Sequence, residues 1–172
     1  MFDELGLYTA GRPPSNTVGT QTVKLLNKNV NSNTGLATSF QYTFKVAING
    51  GAVQDITITT PSAGTGVSGG STFINYADLL VLLNAKLNPY GVSASITDAA
   101  NGVETNGNLV FSTLSTGPNA TIAITTTSLP SNWLFNHLLD YDSVAAPVNG
   151  QLAGVQNNAA DPSTERERLL TH

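Results

Sequence analysis

At 172 residues the chain suits one domain with appendages, and it carries a formal net charge of −4 and no cysteine. Only 10% of its residues are charged, far below the usual ~25%. The seven cations (Arg12, Lys24, Lys28, Lys45, Lys86, Arg166 and Arg168) are scattered, which argues against nucleic-acid binding because phosphate contacts need clustered positive charge.

Zero cysteines exclude disulfides and thiolate chemistry, and no apolar run approaches the length that spans a bilayer. The opening MFDELGLYTAGRPP is acidic and lacks the basic-then-apolar order of a signal peptide. Asn, Thr, Ser and Gly stand where charges would be. Such neutral groups hydrogen-bond across an interface without the cost of burying ions, so the composition favours a protein that works in an assembly.

Residues 1–35 are expected to form an extended N-terminal arm. The Pro13–Pro14 pair forbids helix there. Thr20 to Val30 holds enough Val and Leu for one strand, with Val23, Leu25 and Val30 toward one side and an edge position in the sheet. The arm is either a tail carrying that edge strand or a segment that orders on a neighbouring subunit.

Residues 36–128 are expected to form the central domain. Phe40, Tyr42, Phe44, Val46 and Ile48 alternate with Gln41, Thr43, Lys45 and Ala47, the period of a half-buried strand. Asn49–Gly50–Gly51 marks a tight turn, because Asn and Gly accept positive φ. A return strand follows with Val53, Ile56 and Ile58, stopped by Pro61, and SAGTGVSGGS then forms a Gly-rich excursion. A helix is predicted to start at Asn75 as its cap, or at Ser71/Thr72, with Ala77, Leu80, Val81, Leu83, Ala85 and Leu87 broadly on one side. Pro89 and Gly91 end it. Three further strands centre on Val92/Ala94/Ile96, Leu109/Phe111 and Ile122/Ile124.

Residues 129–172 are expected to supply a short helix over WLFNHLLDY, a strap, and a terminal helix entered at Asp161–Pro162. The fold class is therefore α+β and β-rich: a two-layer ββαβββ central domain with an extended N-terminal arm and short C-terminal helices.

Reactive side chains are sparse. The only histidines are His137 and His172, so zinc lacks its usual ligands. No G-x-S-x-G elbow, P-loop or dinucleotide fingerprint stands in its required setting. Asp140-Tyr141-Asp142 and Asp98…Asn101…Glu104 gather oxygen ligands but do not follow EF-hand spacing, and turn chemistry explains them first. No catalytic residue, metal or cofactor is assigned, and the chain is not expected to be an enzyme.

One family resemblance emerges from the central domain. Ile48-Asn49-Gly50, Leu83-Asn84-Ala85, Gly91-Val92-Ser93-Ala94-Ser95 and Leu109-Val110-Phe111-Ser112 together resemble the insert-type repeat of flagellins and flagellar hook-associated proteins. That repeat runs as a strand with an I-N-G turn, a helix ending in I/L-N-A, then G-V-x-A-x and L-x-L-x-S strands. The likeness covers about half the chain, and the flanks lack the long terminal helices of flagellins.

In overall character, short and Thr/Asn/Gly-rich with extended ends, the chain resembles small virion proteins of tailed bacteriophages. That resemblance implies a capsid decoration or cement protein, a virion structural protein made in the host cytoplasm. Its partner would be the major capsid protein or another virion protein, and it would form a homo-oligomer, with a trimer favoured. The candidate contact residues are Phe2, Leu5, Leu7 and Tyr8 in the arm, Trp133 and Phe135, and the terminal Leu169 and Leu170. The alternatives are a flagellar-type surface adhesive module, or a receptor-binding fibre module with Tyr76 and Tyr90 as exposed aromatics. Neither nucleic acid nor membrane is expected as a partner.

Overall fold

The computed structural model describes residues 15–26, 29–63, 73–97 and 107–152. Seven strands and one α-helix are ordered along these segments: β1 (Val18–Leu25), β2 (Gln41–Ile48), β3 (Gln54–Thr59), α1 (Tyr76–Leu87), β4 (Val92–Ile96), β5 (Leu109–Thr116), β6 (Ile122–Ile124) and β7 (Tyr141–Val144). The run from β2 to β6 is the expected ββαβββ order, and the fold is β-dominated α+β. Its strands divide between two antiparallel sheets. One has the order β4-β5-β1-β7 and the other β3-β2-β6.

Alternation determines the faces. Tyr42, Phe44 and Val46 of β2, with Ile56 and Ile58 of β3, are buried. Lys45 and Asp55 pair at 3.5 Å on the opposite face, and the Thr43 and Thr57 hydroxyls lie 2.8 Å apart there. The β2–β3 turn places Asn49 at φ 51° and Gly50 at φ 68°, the left-handed pair expected of a tight hairpin. Val53 continues the β3 segment in the wrong parity for the core and is exposed.

Helix α1 starts where the sequence places it. Asn75 accepts from the Asp78 amide at 2.9 Å while the Asp78 carboxylate accepts from the Asn75 amide, a reciprocal capping box. Its buried apolar stripe is Tyr76, Leu79, Leu83 and Leu87; Leu83 and Leu87 were expected there, while Val81 and Ala85 face solvent instead. Because the segment LLVLL is apolar almost throughout, periodicity alone could not choose the face.

The flanks depart most from expectation. β1, expected at an edge within an arm, runs between β5 and β7 in the centre of the four-stranded sheet, with Val23 and Leu25 in the core. Between Trp133 and Tyr141, where a helix was expected, a single 3-10 turn at Phe135–His137 gives way to strand β7. The large apolar groups there meet two sheets at once, and a short turn aims them inward better than a continuous helix would. Phe135 lies 5.0 Å from Phe44 of β2 and 5.9 Å from Phe111 of β5 (ring centroids). One core thereby joins both sheets and the helix.

The sheets also meet along a backbone seam. The Gly150 amide donates to Ala120 O at 2.8 Å and the Gln21 side chain of β1 accepts from the Ile124 amide of β6, while the Gly19 amide, on the same seam, donates to the Thr113 hydroxyl of its own sheet at 2.9 Å. No side chain fits at Gly19, where a Cβ would fall 2.1 Å from Ala120 O.

Candidate interaction surface

The chemistry of the described residues is that of a framework. None of them gather three or more His, Cys, Asp or Glu side chains in a group able to hold a metal ion. Asp98, Asn101 and Glu104, and residues 64–71 of the Gly-rich excursion, lie outside the described residues. The Nε2 of His137 is 2.9 Å from the Ser131 carbonyl oxygen, which can only accept, so Nε2 carries the proton. Its ring packs 5.2 Å from that of Tyr42.

Tyr76 is buried, which corrects its expected place among exposed aromatics, and its hydroxyl donates to Leu139 O at 3.3 Å. Burial first, and the Asp140 carboxylate second, push its pKa well above the ordinary tyrosine value, so it stays a neutral donor. Tyr141 is raised in the same way by burial and by Asp142. Tyr90 is exposed. A shallow surface dent beside Lys45, Leu129 and Trp133 encloses no volume that could hold a small molecule. No helix among the described residues is long and apolar enough to cross a membrane.

Of the eight contact candidates named from sequence, Phe2, Leu5, Leu7, Tyr8, Leu169 and Leu170 lie outside the described residues. The other two are core groups. Phe135 is fully buried and Trp133 is 3% exposed, with Trp133 edge-on to Phe135 at 5.2 Å and to Tyr141 at 5.7 Å. Neither offers a surface to a partner while the chain is folded.

What the molecule does present is sheet edge, and it treats its edges differently. Ala94 of β4 is opposite Phe111 of β5. The flanking bonds from Leu114 N to Gly91 O and from Thr97 N to Asn108 O fix the alternation, so the amide and carbonyl of Ala94 point away from β5. Both are taken by one side chain: Asn84 Oδ1 accepts from Ala94 N at 2.7 Å, and Asn84 Nδ2 donates to Ala94 O at 3.0 Å. The helix thus caps the β4 edge as a strand would.

Gln21 does similar work at β6, accepting from Ile124 N and donating to Ala145 O at 3.0 Å. Both amides were missed as functional groups from sequence. Gln21 sits in the buried parity of β1 with Val23 and Leu25, and Asn84 interrupts an apolar helix, and in each case a polar residue in an apolar position was the available signal.

Replacing Asn84 with Ala strands the Ala94 amide and carbonyl beneath the helix. The unfolding free energy in a urea titration is expected to fall by about 1–3 kcal/mol. An unchanged midpoint would mean that water satisfies this edge as well as Asn84 does.

No protein-family model matches the chain, and no curated protein does. Among solved structures, the chain is similar to the flagellar cap protein FliD of Bdellovibrio bacteriovorus, with a TM-score of 0.48 and 14% identity, over 83% of this chain and 66% of that one. It is also similar to the D2–D3 domains of the flagellar cap protein of Serratia marcescens, with a TM-score of 0.42 and 15% identity, over 85% of this chain and 73% of that one. Each is a likeness between chains and assigns no role.

Proposed function

We propose that this chain is a non-enzymatic structural module of a surface assembly, of the flagellar type, acting by protein–protein contact. The observation that carries this is where the flagellar-repeat signature falls. Asn49 and Gly50 make the hairpin turn, Asn84 clamps β4, Gly91 sits at φ 71° at the end of the helix, and Val92, Ala94, Leu109 and Phe111 fill the core. The matching residues are the ones that build the frame, which is what a module shared among structural proteins requires. A function of this kind leaves the frame constant and places specificity on edges and loops.

The low charge content of 10% favours a second host for the same module, the shell of a tailed phage, where the chain would act as a decoration or cement protein bound to the major capsid protein. Close packing between subunits tolerates few ions.

Immunogold electron microscopy with antibody against the full chain separates the two, applied to source cells and to virions released from them. Label along a surface appendage supports the flagellar-type module, and label on phage heads supports the decoration protein. Signal confined to the cell interior, with neither structure decorated, overturns both.

A further inference from the structure

We infer that the edge of β3, open among the described residues, is a self-complementary docking strand that pairs two copies of this chain about a twofold axis. Among the described residues the other three sheet edges are blunted. Asn84 caps β4, and β6 is only three residues long with its Ile124 amide taken by Gln21. β7 is only four residues long and has a register irregularity against β1. Short, bulged or covered edges are how proteins avoid unwanted strand addition. β3 has six residues, pairs regularly with β2 throughout, and pairs with no other strand among the described residues.

The direction of its free groups follows from β2. The Thr43 amide donates to Asn132 O, Thr43 O accepts from Leu134 N, and Lys45 O accepts from Thr125 N. Gln41 O accepts from the Asn132 side chain. All of these point away from β3. Gln41, Thr43 and Lys45 face Thr59, Thr57 and Asp55. In an antiparallel ladder these partners must then aim their own amides and carbonyls at the open side. Asp55 and Thr59 are solvent-exposed and Thr57 is half-buried.

Two such edges match when Thr57 of one copy lies opposite Thr57 of the second. The Thr57 pair exchanges both backbone bonds, and each Asp55 does the same with Thr59 of the second copy. No like charges face each other, since every Asp55 meets a threonine. Ile56 faces Ile58 of the second copy, extending the apolar row, and the Thr57 side chains continue the row begun by Thr43. The β6-β2-β3 sheets of the two copies become one sheet. Such an isologous contact closes at two copies, unlike the threefold arrangement that the phage resemblance implies.

This inference rests on the chain being an assembly module. The two fail separately: a chain that decorates an appendage but stays monomeric alone refutes only the pairing, and a dimer that decorates nothing refutes only the function.

Sedimentation velocity on the full chain, from ~10 µM to ~1 mM, should show a reversible monomer–dimer equilibrium. Thr59→Lys sets a lysine opposite Asp55 twice per dimer and should lower the dissociation constant roughly 2- to 30-fold, the span of two cross-strand pairs, while Thr59→Asp should raise it by a similar factor. Thr57→Pro removes an amide that β2 does not use and should leave a monomer of unchanged circular dichroism. A wild-type chain monomeric throughout overturns the inference. So does an oligomer indifferent to Thr59, or one shifted the same way by Lys and Asp.

Discussion

Phe135→Ala is expected to lower the unfolding free energy by about 3–5 kcal/mol, displacing the melting temperature downward by roughly 10 °C. The ring is fully buried and touches three others: Phe44 at 5.0 Å, Phe111 at 5.9 Å and Trp133 at 5.2 Å. Phe44 belongs to the three-stranded sheet and Phe111 to the four-stranded one, so truncating Phe135 opens a cavity between the two layers. That cavity cannot collapse without moving a sheet, which puts the cost toward the upper end of the range for aromatic deletions. Leu129→Ala nearby, at an exposed position, should change stability by no more than about 0.5 kcal/mol. Equal, small effects for the two would mean that Phe135 is not a core group and would restore it as a contact residue.

That comparison bears on how the C-terminal segment is understood. From sequence, a cluster such as Trp133, Leu134, Phe135 and Leu138 demands a covering surface but does not say whose. The structure gives the surface as the chain's own: the Thr43 amide donates to Asn132 O and the Leu134 amide to Thr43 O, so the segment lies along β2 before its rings turn inward. Any loss of assembly caused by Phe135→Ala would therefore accompany loss of fold, and would not mark a direct contact.

Local chemistry was legible where one residue type has one good solution. The Asn49–Gly50 turn, the Asn75 cap with Asp78, and the alternation of Tyr42, Phe44 and Val46 all follow from backbone sterics and period-two patterning, and they appear in the structure at those positions. Long-range pairing was not legible. Nothing in VGTQTVKL says that it inserts between Leu109–Thr116 and Tyr141–Val144, because any amphipathic strand satisfies either neighbour equally well. The division into two sheets has the same cause.

The candidate surface was the least legible part. An open strand edge is a property of which neighbour is missing, and a sequence records neighbours only through pairing partners that lie far along the chain. Thr57 looks like any outward threonine until Thr43 is seen to spend its own backbone groups on Asn132 and Leu134, and only then does the free side of β3 acquire a direction. The two amide caps sharpen the point: Gln21 and Asn84 are ordinary residues whose role depends on Ile124 and Ala94 coming within reach.

Gly19→Ala is expected to cost roughly 3 kcal/mol or more, although it adds a single methyl group. The position has no positive-φ requirement, so glycine is needed there for space. A Cβ would lie 2.1 Å from Ala120 O, 2.5 Å from its carbonyl carbon and 2.9 Å from Thr121 N, all backbone atoms that cannot rotate aside. Relief must come from parting β1 from the chain entering β6. The reach of Gln21 to Ile124 N would then lengthen. Overpacking in a well-packed interior costs about 1–3 kcal/mol when side chains can yield, and here the yielding groups are two main chains held by hydrogen bonds. Denaturant unfolding of Gly19→Ala beside Gln21→Ala separates the contributions. If the seam is one unit, the double variant should be less destabilised than the sum of the singles, since parting the strands already breaks the Gln21 bond. Strict additivity would show that the glycine contact and the glutamine bridge hold the two sheets independently.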